Sequence, residues 1–131
     1  MKFMLMMSGP LSACETMMKL TQAEVGAHIR FMLDLHEELK RTGELVLAEG
    51  LDFPPQAVIV KATRPDAPTI SDGPFAETKE FLAGFWIVDV ASRERAIAIA
   101  AKASTAPGAG GKPMAIPIEV RQVMSAPATD G

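Results

Sequence analysis

Hydrophobic positions along the chain recur in two rhythms. Lys2 to Met7 is apolar on both faces, which predicts a strand lying centrally in a sheet. Residues Ser8 to Leu20 read as a loop. A long helix is then predicted from Thr21, an N-cap with Glu24 three residues on, the spacing of a capping box. Leu20 and Val25 stand at hydrophobic-staple positions. An inward stripe of Val25, Ile29, Met32 and Leu39 follows, and Gly43 suits a left-handed C-terminal stop. Glu44 to Glu49 reads as a strand, Gly50 to Gln56 as a connection broken by Pro54 and Pro55, and Ala57 to Thr63 as another strand. Arg64 to Pro68 is a turn, from which Thr69 to Ser71 returns as a short hairpin partner. Phe81 to Val90 is almost wholly apolar and predicts the central strand, with Gly84 marking a bulge or a close backbone approach. Ser92 caps a second helix through Lys102, with Ala96, Ile97, Ile99 and Ala100 facing inward. Ser104 to Pro113 is a Gly/Pro/Ala-rich flexible connector, and Met114 to Val123 a closing strand.

With the small hairpin treated as an insertion, this order predicts an α+β fold. It is a ferredoxin-like antiparallel sheet with two helices on one face. The sheet's other face is then apolar and uncovered. A second copy of the chain is the simplest cover, so a homodimer with sheets face to face is expected, or a joint dimeric α+β barrel.

Composition narrows the class. The chain has 131 residues, 48% of them hydrophobic and 22% charged, which excludes a disordered chain. A 14.0 kDa monomer should expose roughly 6,700 Å² when folded. One domain over residues 1–124 and a frayed tail over 125–131 are expected. A net charge of −3 argues against direct nucleic-acid binding. The single cysteine, Cys14, suits a reducing compartment. Leu11-Ser12-Ala13-Cys14 is similar to a lipoprotein cleavage site, but the apolar run before it is short and broken by Gly9-Pro10. No stretch approaches the length needed to span a bilayer, so no membrane association and a cytoplasmic location are expected.

The run Ser71-Asp72-Gly73-Pro74-Phe75-Ala76-Glu77-Thr78-Lys79-Glu80, with the strand after it, resembles the DGPF-type branch of the YCII-related family. The opening Met1 to Met6 segment, Gly50-Leu51 with Pro54-Pro55, and Ile118 to Arg121 are also similar to that family. The resemblance implies a dimeric α+β barrel with a small cleft in each subunit, but no single reaction. Some members look like acid–base enzymes with a His–Asp pair, including dehydrochlorination of aromatic substrates. DGPF-type members often occur beside extracytoplasmic-function sigma factors, which implies a possible regulatory link. His28 and His36 fall in no clear copy of the enzymatic branch's His motif, and the Ser104 to Pro113 loop is longer and richer in glycine than is usual there.

Several side chains are candidates for chemistry. Asp72 either closes a structural Asx-turn or sits at a cleft mouth as acid/base or anchor. Glu77, Lys79 and Glu80 are either a solvated strand entry or a dimer ion pair, or else a pocket rim that grips an anionic or hydroxylated small molecule. Glu49 ends a strand near the same edge. His36, between Met32 and Leu39, is either a hydrogen-bonded core residue or a proton carrier facing the sheet. His28 lies on the flank. Asp72, Lys79, Glu80 and His36 are thus the candidate catalytic groups, and Glu49, Phe75 and Trp86 the candidate ligand contacts. No metal site or cofactor is expected, since neither histidine has ligand spacing or cysteine partners. Cys14 lacks the basic surroundings of a nucleophile, and Met6, Met7, Met17 and Met18 fit gap-filling better than copper binding. Two functions remain open: binding of a small molecule, with cofactor-free acid–base or elimination chemistry, and a non-catalytic regulatory or interaction role.

Overall fold

A computed structural model describes residues 1–73 and 79–125. Six strands and three helices follow in the order β1 (Lys2–Pro10), α1 (Ser12–Met18), α2 (Gln22–Arg41), β2 (Leu45–Gly50), β3 (Val58–Lys61), β4 (Thr69–Asp72), β5 (Glu80–Asp89), α3 (Arg93–Ser104) and β6 (Ile118–Gln122). One sheet has four antiparallel strands in the order β2-β5-β1-β6, and β3 and β4 make a separate hairpin. The fold is therefore α+β.

Register decides which side chains meet. Leu5 stands opposite Trp86 on one side and Val120 on the other, and Phe3 opposite Val88. Alternation sends Phe3, Leu5, Met7, Trp86 and Val88 to one face, where they are buried against Leu35 and Leu39 of α2 and Ala96, Ile99, Ala100 and Ala103 of α3. Small alanines let α3 approach the strands closely. Met4, Met6, Phe85 and Ile87 take the opposite face and stay half-exposed, beside exposed Leu47 of β2.

Local chemistry sets the helix ends. Thr21 accepts the Glu24 amide and Glu24 accepts the Thr21 amide, completing the capping box. Gly43 takes φ +77° just after Thr42 closes α2. Ser92 caps α3 through the Arg95 amide. Arg95 then grips Glu44 with two parallel bonds of 2.9 and 2.8 Å, tying α3 to the start of β2.

Five expectations are corrected, the first being Ile97 of α3, which is exposed and does not face inward. Ser8 to Leu20 is not loop: β1 continues to Pro10 and a third helix, α1, follows. That helix has no side-chain cap, which is why its sequence is silent. It is held instead by burial of Cys14 and by Ala13 facing the bare backbone of Gly9. The inward stripe of α2 is turned relative to the expected one. Leu35 and Leu39 are buried and Met32 packs beside them, while Val25 and Ile29 are exposed. The closing strand is shorter than Met114 to Val123, because Met114 bonds back to Ala106 before β6 begins. The preceding Gly-rich segment is not a free connector. Gly108 donates to the Lys112 carbonyl, Pro107 bridges Pro113, and Gly110 donates to the Glu24 carboxylate. The expected tail beyond Ser125 lies outside the described residues, as do Phe75 and Glu77. No helix among the described residues is long and apolar enough to cross a membrane.

Candidate functional site

The core-facing side of α2 presents His28, Met32 and His36, four residues apart, so the three stack along one side of the helix. Opposite them stand Met7 of β1, Ala48 of β2, and Ala83, Gly84 and Trp86 of β5, with Met17 of α1 and Ile116 closing the ends. Together they enclose a cleft of about 310 Å³. The cleft lies where β5 slips register against β1, between Leu82 and Gly84. The close approach of β2 needs a glycine there. A Cβ on Gly84 would lie 2.9 Å from the Glu49 carbonyl oxygen and 3.3 Å from the Gly50 Cα, both backbone atoms that cannot swing away. A neighbouring hollow of about 360 Å³ shares Met17, Ala83 and Ile116 with the cleft and runs under α1.

Trp86 is buried, and its indole Nε1–H donates to His36 Nε2 at 3.0 Å. An indole nitrogen only donates, so Nε2 carries the lone pair and the ring proton sits on Nδ1. The two rings meet edge to face, with centroids 6.3 Å apart. Burial, and then the positive charge of Lys40, hold His36 below the ordinary imidazole value, so the neutral ring is favoured. His28 is fixed from the other side: its Nδ1 stands 3.1 Å from the Pro107 carbonyl oxygen. A carbonyl only accepts, so His28 also carries a proton on Nδ1, and in the neutral ring this leaves the lone pair on Nε2.

The candidates separate into three places. His36 and Trp86 share the cleft, which Glu49 also lines. Glu49 pairs with Phe85 and alternates with Ala48, so its side chain projects to the opposite face of the sheet. Glu80 lines a different hollow, with Leu51, Phe53, Pro54 and Phe81. Asp72 pairs with Val58 at the end of the small hairpin. Lys79 contributes its carbonyl to the Leu11 amide. The His36 cleft contains none of Asp72, Lys79 and Glu80. His28, read from sequence as a flank residue, is the member that sequence reasoning missed. Its spacing of eight from His36, with Met32 midway, is the signal that marks it. Among the described residues no group of three or more His, Cys, Asp or Glu is placed to hold a metal ion.

The sequence model of the YCII-related domain matches residues 1–111. No curated protein matches the chain.

Proposed function

Because the chain belongs to the YCII-related family, we propose that it binds a small organic molecule in the cleft between α2 and β5. The observation that carries this reading is the Trp86–His36 bond. It holds a neutral imidazole in a mostly apolar recess, with the other ring nitrogen unspent. Ligand sites commonly have this make-up, an apolar body with a few fixed polar groups. With Nε2 engaged, His36 serves as a hydrogen-bond donor through Nδ1 in preference to a proton acceptor. Any acid–base chemistry then falls to other groups. Glu80, Lys79 and Asp72 all lie outside the cleft.

The motif from Ser71 to Glu80 supports placement in the DGPF-type branch. With β3 and β4 set aside, the strand order supports the ferredoxin-like topology, since the two helical crossovers, β1 to β2 and β5 to β6, interleave in one sheet. A homodimer is supported by surface area. The chain exposes 9124 Å², against roughly 6,700 Å² for a monomer of this mass. Even with residues 74–78 and 126–131 counted as fully unfolded chain, about 1,100 Å² of excess remains. A standard interface needs about 800 Å² from each partner. A regulatory role through a protein such as a sigma factor is the second reading, favoured by Val58, Val60 and Ile70, all at least 60% exposed on the hairpin.

Thermal-shift screening with aromatic and carboxylate compounds tests the binding reading. The expected result is stabilisation of the wild type that is lost in Trp86→Phe, which keeps a ring but removes the donor. Absence of any hit, or hits that Trp86→Phe retains in full, moves the assignment to the interaction reading.

A further inference from the structure

The two imidazoles of the cleft carry their protons on the same nitrogen and are anchored by opposite ones. His28 spends Nδ1–H on the Pro107 carbonyl, and His36 spends the Nε2 lone pair on the Trp86 indole. Among the described residues no buried side-chain nitrogen or oxygen lacks a partner. The remaining nitrogens, His28 Nε2 and His36 Nδ1, have no partner among those residues and so are not sealed from solvent, and both rings line the cleft. One end of the cleft thus offers a lone pair and the other an N–H.

Resting on the small-molecule reading above, we infer that the cleft selects a hydroxy acid. Its hydroxyl donates to His28 Nε2, its carboxylate or carbonyl oxygen accepts from His36 Nδ1–H, and an apolar spacer lies between. Spacing sets the spacer's length. Eight helical residues rise about 12 Å along the axis. Two hydrogen bonds of about 2.8 Å take up nearly half of this. About 6 Å is left between the ligand's oxygens, close to the span of para substituents on one benzene ring. Met32 lies midway between the histidines, where its thioether meets the spacer. The Gly-rich segment acquires a purpose in this arrangement. Glu24 holds Gly110, and the Gly108–Lys112 and Ala106–Met114 bonds close the loop, so the Pro107 carbonyl is fixed against His28. Pro107 is accordingly a positioning residue.

The probes are 4-hydroxybenzoate, benzoate and phenol, titrated calorimetrically into wild type, His28→Ala and His36→Ala. In wild type, removing either the hydroxyl (benzoate) or the carboxylate (phenol) is expected to weaken binding at least tenfold. The hydroxyl effect should vanish in His28→Ala and the carboxylate effect in His36→Ala. Equal effects in all three proteins overturn the assignment. So does wild-type binding that ignores the hydroxyl. If apolar compounds bind in a Trp86-dependent way while these probes show no discrimination, the hydroxy-acid inference falls and the binding reading stands. If nothing binds, both fall. Should either variant misfold, long-range ¹H–¹⁵N spectra of the wild-type imidazoles decide: both rings neutral with the proton on Nδ1 supports the arrangement, and an Nε2–H form of either overturns it.

Discussion

His36 and Gly84 show how single residues create the cleft. His36 is kept neutral by burial and by Lys40, so the unfolded chain takes up its proton more readily than the folded one. Its contribution to stability is present above the ordinary imidazole value of about 6.5. It falls as pH drops through that value and levels off once the lowered folded value is passed. Wild type should therefore lose melting temperature between pH 7 and 5.5, and His36→Gln should show a shallower slope over the same interval. A parallel slope in the two proteins would assign the loss to other groups. Gly84 is a different constraint, set by volume. Gly84→Ala should destabilise by about 1–3 kcal/mol in chemical denaturation, the usual cost of forcing atoms into a packed site, because its new methyl meets backbone of β2.

Elements are joined by a few polar contacts whose partners are far apart in sequence. The Arg95–Glu44 pair links α3 to β2, and Thr42 adds a 2.8 Å bond to the same carboxylate. The Arg95 hydrogen bonds hold Glu44 below the usual carboxylate range against the opposing effect of burial. The pair therefore stabilises the fold above a pH of about 4.3, and that contribution is lost as pH falls through the lowered value. Arg95→Ala should lower stability at neutral pH by about 1 kcal/mol, since Arg95 is partly exposed and screened. The deficit relative to wild type should narrow in acid, as read by urea unfolding at pH 7 and pH 3. At this scale the sequence is legible where capping is local. The capping box at Thr21, the Ser92 cap and the Gly43 stop are all visible as spacings of three or four residues or as a lone glycine. Helix α1 is not, because it has no side-chain cap and burial of Cys14 against the rest of the fold helps hold it. Nor is the rotation of α2, since Val25, Ile29 and Leu33 make as regular a stripe in sequence as the partly buried Met32 and the buried Leu35 and Leu39.

For the whole molecule, the half-exposed sheet face of Met4, Met6, Phe85 and Ile87 is the feature on which the proposed dimer depends. A charge at its centre would be stranded on association. Ile87→Lys should give a monomer by size-exclusion chromatography with light scattering, with circular dichroism unchanged, while wild type elutes as a dimer. A monomeric wild type at micromolar concentration would remove the dimer and leave the apolar face to another partner.

Periodicity and caps are properties of neighbouring residues, so the chain's own order determined the elements other than α1, the α+β class and the alternation that buries Phe3, Leu5, Trp86 and Val88. The histidine roles depend on partners 50 and 79 residues away, Trp86 for His36 and Pro107 for His28. Which nitrogen of an imidazole is engaged follows from where those groups arrive in space. Only the packing of α2 over the β5 bulge, and the closure of the Pro107 loop against it, decided that two histidines eight residues apart face one cleft with opposite hydrogen-bonding ends.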